Sequence, residues 1–199
     1  MAAPSRATAR RADARRNVDA ILRAATECLG NRPDATLAEI AEAAGVGRVT
    51  LYGHFSSRAE LLDAVMAHAL QHGNAVLEPV DLSGDPREAL TRLIEASWEV
   101  LNQSRSILAA AQKELSPARI RELHHEPAAR VARLVERGQE EGVFRTDLPV
   151  SWLVVTLHNL MHGAADEIQA GRLTPADAAG HISATALAAF TPPGRKVPK

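Results

Sequence analysis

GVGRVTLYGHF, residues Gly45–Phe55, follows an alanine-rich run of helical periodicity and carries three glycines, an Arg, a Thr, a His and the chain's single tyrosine. Gly45 stands immediately after TLAEIAEAA, where a left-handed residue ends a helix and the missing Cβ removes the steric penalty. Ala41, four residues earlier, is small, as a closely crossing second helix demands. Ile40, Ala44, Val46 and Leu51 then form a compact apolar knot, with Phe55 one helical turn beyond Leu51. Six positions with different size requirements agree on two helices meeting at a tight turn. This is the spacing of a helix-turn-helix, whose second helix lies in the DNA major groove.

With Leu51 and Phe55 facing inward, Arg48, Val49, Thr50 and Gly53 lie toward the opposite side. Arg48 can donate to guanine or phosphate, Thr50 can reach a base edge or a backbone oxygen, and Val49 can press on a thymine methyl. Tyr52 and His54 flank this surface with tips suited to phosphate oxygens. Arg58 adds a cation where a further helix begins, and Thr36 sits at the start of the preceding one, next to N–H groups that attract anions. Thr36 and Glu39 also have the three-residue spacing of a capping box.

Outward from this unit, helical periodicity dominates and no strand run is evident. The first helix is expected from about Asp13 to Leu29, then Leu37–Ala44, Arg48–Gly53 and a helix capped by Ser57 through RAELLDAVMAHAL. Further helices are expected over 86–102, 105–115, 117–124, 127–141, 149–170 and 174–190, with Pro117, Pro127, Pro149 and Pro175 as punctuation. The expected class is therefore all-α. The expected domains are a basic disordered arm (1–12), a three-helix DNA-binding domain (13–56), a helical effector-binding and dimerisation domain (57–191) and a frayed tail (192–199).

The chain of 199 residues is 46% hydrophobic but only 3% aromatic, so its core must come from Ala, Leu, Val and Ile. Net charge is −1, yet residues 1–60 hold nine Arg against seven acids, with five Arg within the first sixteen residues. Such an arm suits phosphate or minor-groove contacts. The lone Cys28 excludes an intramolecular disulfide, and it reads as a small buried side chain on the first helix. No segment has the length of a membrane span or the core of a signal peptide, so no membrane role and a cytoplasmic location are expected.

The remaining residues divide into an interface and a pocket. PVSWLVVTLHNLMHGAADEIQAG is apolar around most of its circumference, and TPADAAGHISATALAAF is rich in Ala and Ser. Two such helices packed on the same pair of a second copy make a two-fold four-helix interface, which doubles the few base pairs that one recognition helix covers. Candidate ligand-lining residues are Trp98, Leu101, Leu108, Gln112, Leu115, Leu123, Leu157 and Met161, with His68, His158 or His162 as polar anchors. His68/His72 and His158/His162 have i, i+4 spacing, but tetrahedral zinc needs pairs converging from different helices, so neither metal nor cofactor is expected. No nucleophile elbow, phosphate loop or zinc-protease motif is present, and no enzyme is expected.

TLAEIAEAAGVGRVTLYGHFSSRAELLDAV resembles the DNA-binding signature of the TetR family of one-component transcriptional regulators, including its Leu-Tyr-x-His-Phe core and the basic residue at 58. The resemblance is close over about residues 17–66. Beyond them only the length, the helical pattern and RLVERGQEEGVFRTDLP, similar to the end of the family's seventh helix, agree. It implies a homodimer reading a palindromic operator in double-stranded DNA, released by a small-molecule effector. It also implies groove-facing Arg48, Val49, Thr50 and Gly53 and backbone-contacting Thr36, Tyr52, His54 and Arg58. The sequence departs from the family at Gly47, often Ser and a stronger cap; at Val49, often Gly or Pro; and at Gly53, usually a larger side chain. Arg48 and Thr50 are therefore expected to carry most of the readout. The alternative is a helix-turn-helix protein that binds DNA or mediates assembly without small-molecule control.

Overall fold

A computed structural model describes residues 6–195, with side chains from residue 13 onward. The described residues contain nine helices and no strand. They are α1 (Arg6–Asn31), α2 (Leu37–Ala43), α3 (Arg48–His54), α4 (Arg58–Leu77), α5 (Pro86–Glu114), α6 (Pro117–Leu123), α7 (His125–Glu140), α8 (Val150–Gln169) and α9 (Pro175–Phe190).

Several boundaries differ from the sequence reading; α4, expected through Leu70, continues to Leu77. Helix α1 starts at Arg6 rather than near Asp13, because RATARRADARR is made largely of Ala and Arg, strong helix formers, with no Gly or Pro to stop it. The basic arm is therefore helical backbone from Arg6 on, and its first five residues lie outside the described residues. Helix α5 runs unbroken through Asn102–Arg105, where two helices were expected; the NQSR stretch is polar but contains no breaker. The tail forms a turn in which Arg195 N donates to Pro192 O at 3.2 Å; residues 196–199 lie outside the described residues.

The chain forms two compact units. The first comprises the residues up to Gln71 together with Ser104–Leu123; the second comprises His72–Gln103 together with the residues from His124 on. The expected division after residue 56 differs from this one because Leu61, Leu62, Val65 and Met66 of α4 and Ile107, Ala110 and Ala111 of α5 share a core with Ile21, Ala25 and Leu29 of α1. Arg119 of α6 grips Asp63 of α4 through two hydrogen bonds of 2.6 and 2.9 Å, and this charge pairing lowers the Asp63 pKa. Cys28 is half-buried against the same core.

The second unit packs Leu90, Leu93, Ile94 and Trp98 of α5 with Leu134 and Val135 of α7, Leu153 and Leu157 of α8, and Ile182 and Phe190 of α9. The α7–α8 connection is anchored here. Gly138 O accepts from both Val143 N and Phe144 N at 2.8 Å, and a Cβ at 138 would lie 2.1 Å from the Phe144 ring. That ring packs edge-on against Phe190, centroids 5.7 Å apart, so it has no easy retreat. Gly142, at φ +66°, ends α7 as the sequence suggested. Gln139 Nε2 donates to the carbonyls of Arg145 (2.7 Å) and Leu148 (3.1 Å) and fixes the approach to α8.

Candidate nucleic-acid interface

Helix α2 begins at Thr36, whose Oγ1 accepts from Glu39 N, while Glu39 Oε2 accepts from Thr36 N at 2.7 Å. The expected capping box is present. The Thr36 hydroxyl also donates to Glu39 Oε2 at 2.8 Å, and Arg32 Nη2 donates to Glu39 Oε1 at 2.5 Å. Hydrogen bonds from the Thr36 backbone, from Arg32 and from the Thr36 hydroxyl bring the Glu39 carboxyl down to about 2. Glu39 thus stays ionised at the N-terminal end of α2, where the helix dipole favours negative charge.

Between α2 and α3, Gly45 takes φ +67° and Val46 N donates to Ala41 O at 3.0 Å, so the turn closes back on the preceding helix. Ile40, Ala41, Leu51 and Phe55 are buried and Ala44 and Val46 half-buried, all in one core. Gly47 caps α3 through its backbone alone, as expected of a residue without a side chain.

These buried anchors determine what α3 presents. Val49 is 88% and Tyr52 53% exposed, while Arg48 and Gly53 are exposed and Thr50 and His54 half-exposed. Among the described residues Arg48 makes no hydrogen bond or ion pair, and a Cβ at Gly53 would meet nothing within 4 Å. The predicted groove-facing set therefore lies on one short, rigidly seated helix.

Arg58 is a different case. Its Nη1 donates to Ala35 O, its Nη2 to Pro33 O at 3.0 Å, and its Nε lies 3.6 Å from Glu114. Arg58, expected as a phosphate-binding cation, is turned in this structure onto two carbonyls of the α1–α2 connection. Ser57 Oγ accepts from Glu60 N at 3.1 Å and caps α4 as expected. Thr36 is likewise engaged, its one O–H held by Glu39. Arg32, 60% exposed at its side chain beside this cap, is hard to recognise from sequence because its pairing with Glu39 spans seven residues and a loop. The only sequence signal for it is an Arg at a helix end ahead of a capping box.

The candidate ligand-lining residues do not share one unit. Leu108, Leu115 and Leu123 pack against the first core, and Gln112 and His68 are exposed. Trp98, Leu157 and Met161 are buried in the second core, with Leu101 packed against it. His158 and His162 are joined by His124 from the start of α7, with ring centroids 4.2 Å apart for His158–His162 and 5.5 and 6.2 Å to His124. Burial, then the neighbouring imidazoles, lowers the His162 pKa to about 4 and moves His158 the same way. Among the described residues no group of three or more His, Cys, Asp or Glu is placed to hold a metal ion. No described helix is long and apolar enough to cross a membrane.

Residues 21–65 match the sequence signature of the bacterial regulatory proteins of the tetR family. The HTH-type transcriptional regulator NfxB of Pseudomonas aeruginosa is 30% identical over 183 residues, covering 88% of this chain and 95% of that protein. The chain belongs to the TetR family. As in that family, it is a DNA-binding transcriptional regulator whose relatives are regulators rather than enzymes. This TetR-family chain is also similar to LfrR of Mycobacterium smegmatis, solved in complex with proflavine: 26% identity, TM-score 0.61, covering 92% of this chain and 99% of the other. A tetR-family regulator from Shewanella sp. PV-4 shares the fold at TM-score 0.68 and 22% identity, covering 88% and 98% of the two chains.

Proposed function

We propose that this chain is a ligand-responsive repressor that binds a palindromic operator as a homodimer and leaves it when a small molecule binds. The observation that carries the DNA-reading part is the outward face of α3. Arg48, Val49 and Tyr52 stand free on a helix whose other face, Leu51 with Phe55 beyond it, is buried in the core. Arg48 and Thr50 read base edges, Val49 meets a thymine methyl, and Tyr52 and His54 touch phosphates. Thr36, Gly47 and Gly53 let backbone approach the duplex.

The dimer uses α8 and α9. Trp152 and Val155 are exposed on α8, and Gly180, Ala184 and Ala188 give α9 a small-residue exposed face. Two recognition helices spaced about 34 Å apart then meet successive major grooves.

Release follows from α4. Arg58 fastens the first turn of that helix to the α1–α2 connection, so a reorientation of α4 carries α3 with it. To reverse a fully competent population, the effector must favour the other state by about 5.5 kcal/mol. Trp98, Leu101, Leu157 and Met161, with His158 and His162, are the effector-facing candidates of the second unit. LfrR's proflavine supports small-molecule control in general, but its chemistry does not transfer. The Phe144 and Phe190 rings are packed against each other, leaving few aromatic faces to stack a flat cation.

The test is selection of bound fragments from random DNA with the purified protein. An enriched two-fold motif is expected, and Arg48→Ala should lose about 1–3 kcal/mol of discrimination with unchanged folding. Failure to enrich any motif, or a strictly monomeric protein, overturns the reading.

A further inference from the structure

Helix α7 bears Arg130, Arg133 and Arg137, spacings of three and four that align them along one flank. Within the second unit these three and Leu134 form one wall of a cleft of about 390 Å³; Glu78, Val80 and Leu82, from the α4–α5 connection, form the other. That volume lies within the range of small-molecule sites. Like charges so placed repel, and Glu78 is the one carboxylate on the cleft wall.

The internal partners of these arginines are few. Arg130 Nη2 reaches Asn74 O at 3.5 Å. Arg137 Nη2 donates to Gly84 O at 3.3 Å and its Nε lies 3.6 Å from Glu141, yet that Nε is buried with no hydrogen-bond acceptor. The exposed Arg133 side chain makes no hydrogen bond or ion pair among the described residues. The opposite wall is held by another residue: Arg92 donates from Nε to Asp81 O at 2.8 Å and from Nη2 to Ser83 O at 2.7 Å. The cleft is therefore built without an ion pair to Arg130 or Arg133, and the long contact of Arg130 Nη2 with Asn74 O is the one side-chain hydrogen bond either makes among the described residues.

We propose that this cleft binds a small amphipathic organic anion. Its head group sits on Arg130 and Arg133, with Arg137 adding positive charge deeper in the cleft, and its hydrocarbon part lies on Val80, Leu82 and Leu134. Planar guanidinium forks match the two oxygens of a carboxylate or phosphate, so exposed Arg133 and half-buried Arg130 can each hold a head group in bidentate fashion. An apolar wall facing them selects against a bare inorganic ion, which gains nothing from hydrocarbon contact. The site shares only the second unit with the effector-facing candidates named above and none of their residues, and it is tested without DNA, so its outcome is separate from operator binding.

The experiment is calorimetric titration of the full chain with octanoate, inorganic phosphate and octylamine. Octanoate is expected to saturate one site per chain and to bind at least about tenfold more tightly than either of the others. Arg133→Gln and Arg130→Gln should each weaken it by about tenfold or more while leaving the thermal transition in place, since neither side chain supports the core. Equal octanoate affinity in the wild type and both variants overturns the proposal. So does octylamine or phosphate binding as tightly as octanoate.

Discussion

On α3 the exposed Val49 and Tyr52 alternate with Arg48, Thr50 and His54; on α8 the exposed Trp152 and Val155, 57% and 40% accessible, have Ser151 and Asn159 as exposed companions. Both units therefore leave large apolar groups in water, but of these two faces only that of α3 mixes them with a free cation. A duplex presents phosphates, base edges and thymine methyls together, which such a mixture fits. An uncharged face built around a tryptophan suits another protein surface, where aromatic anchors carry most of the energy. What surrounds an exposed apolar side chain, more than its exposure, tells the two kinds of partner apart.

The hardest test of that contrast is Leu51→Ala, which empties the buried side of α3. It should cost about 2–5 kcal/mol of stability, measured by denaturant unfolding, and remove specific DNA binding while the dimer persists. Loss of dimerisation together with DNA binding would mean the two faces are not independent. Trp152→Ala should do the converse, weakening self-association by about 2 kcal/mol or more in sedimentation equilibrium, with the isolated helix-turn-helix fold intact by NMR.

Smaller effects sharpen the picture. Thr36→Ala removes the α2 cap and frees Glu39 from two of its hydrogen bonds, so it should cost about 1 kcal/mol in thermal unfolding. Stability equal to wild type would show that the Thr36 hydroxyl is free for phosphate rather than engaged at the cap.

Acid should separate the units. His162 is held at about 4 in the folded chain, against about 6.5 when unfolded, so the unfolded state takes up its proton first. Its stabilising contribution is complete above about pH 6.5 and is lost as pH falls toward 4. Glu39, at about 2, keeps its contribution until the pH drops below the ordinary carboxylate range. Hydrogen exchange at pH 5 should therefore show second-unit amides around α8 opening while the α2 cap stays protected. His162→Gln should flatten the α8 response.

The helix-turn-helix was legible because each of its demands is local. A left-handed Gly45, a small Ala41, a capping box and a four-residue Leu51–Phe55 repeat all lie within twenty residues. The pocket candidates were less legible. Trp98, Leu157 and Met161 have the spacing of both a core and a binding wall, and the structure places them in the core. Leu108 of α5 and Leu123 of α6 belong to the other unit, because the last turns of α5 and the whole of α6 pack against the first core.

The linear order of residues by itself determined the all-helical class, the turn between α2 and α3, and which residues of α3 face away from the core, since helical periodicity and φ preferences act over a few residues. Only the tertiary structure decided that Arg58 turns inward to backbone carbonyls, that His124 joins His158 and His162, and that three arginines of α7 face Val80 and Leu82. Each of those pairings joins residues more than twenty positions apart, and no short-range rule links them until the helices pack.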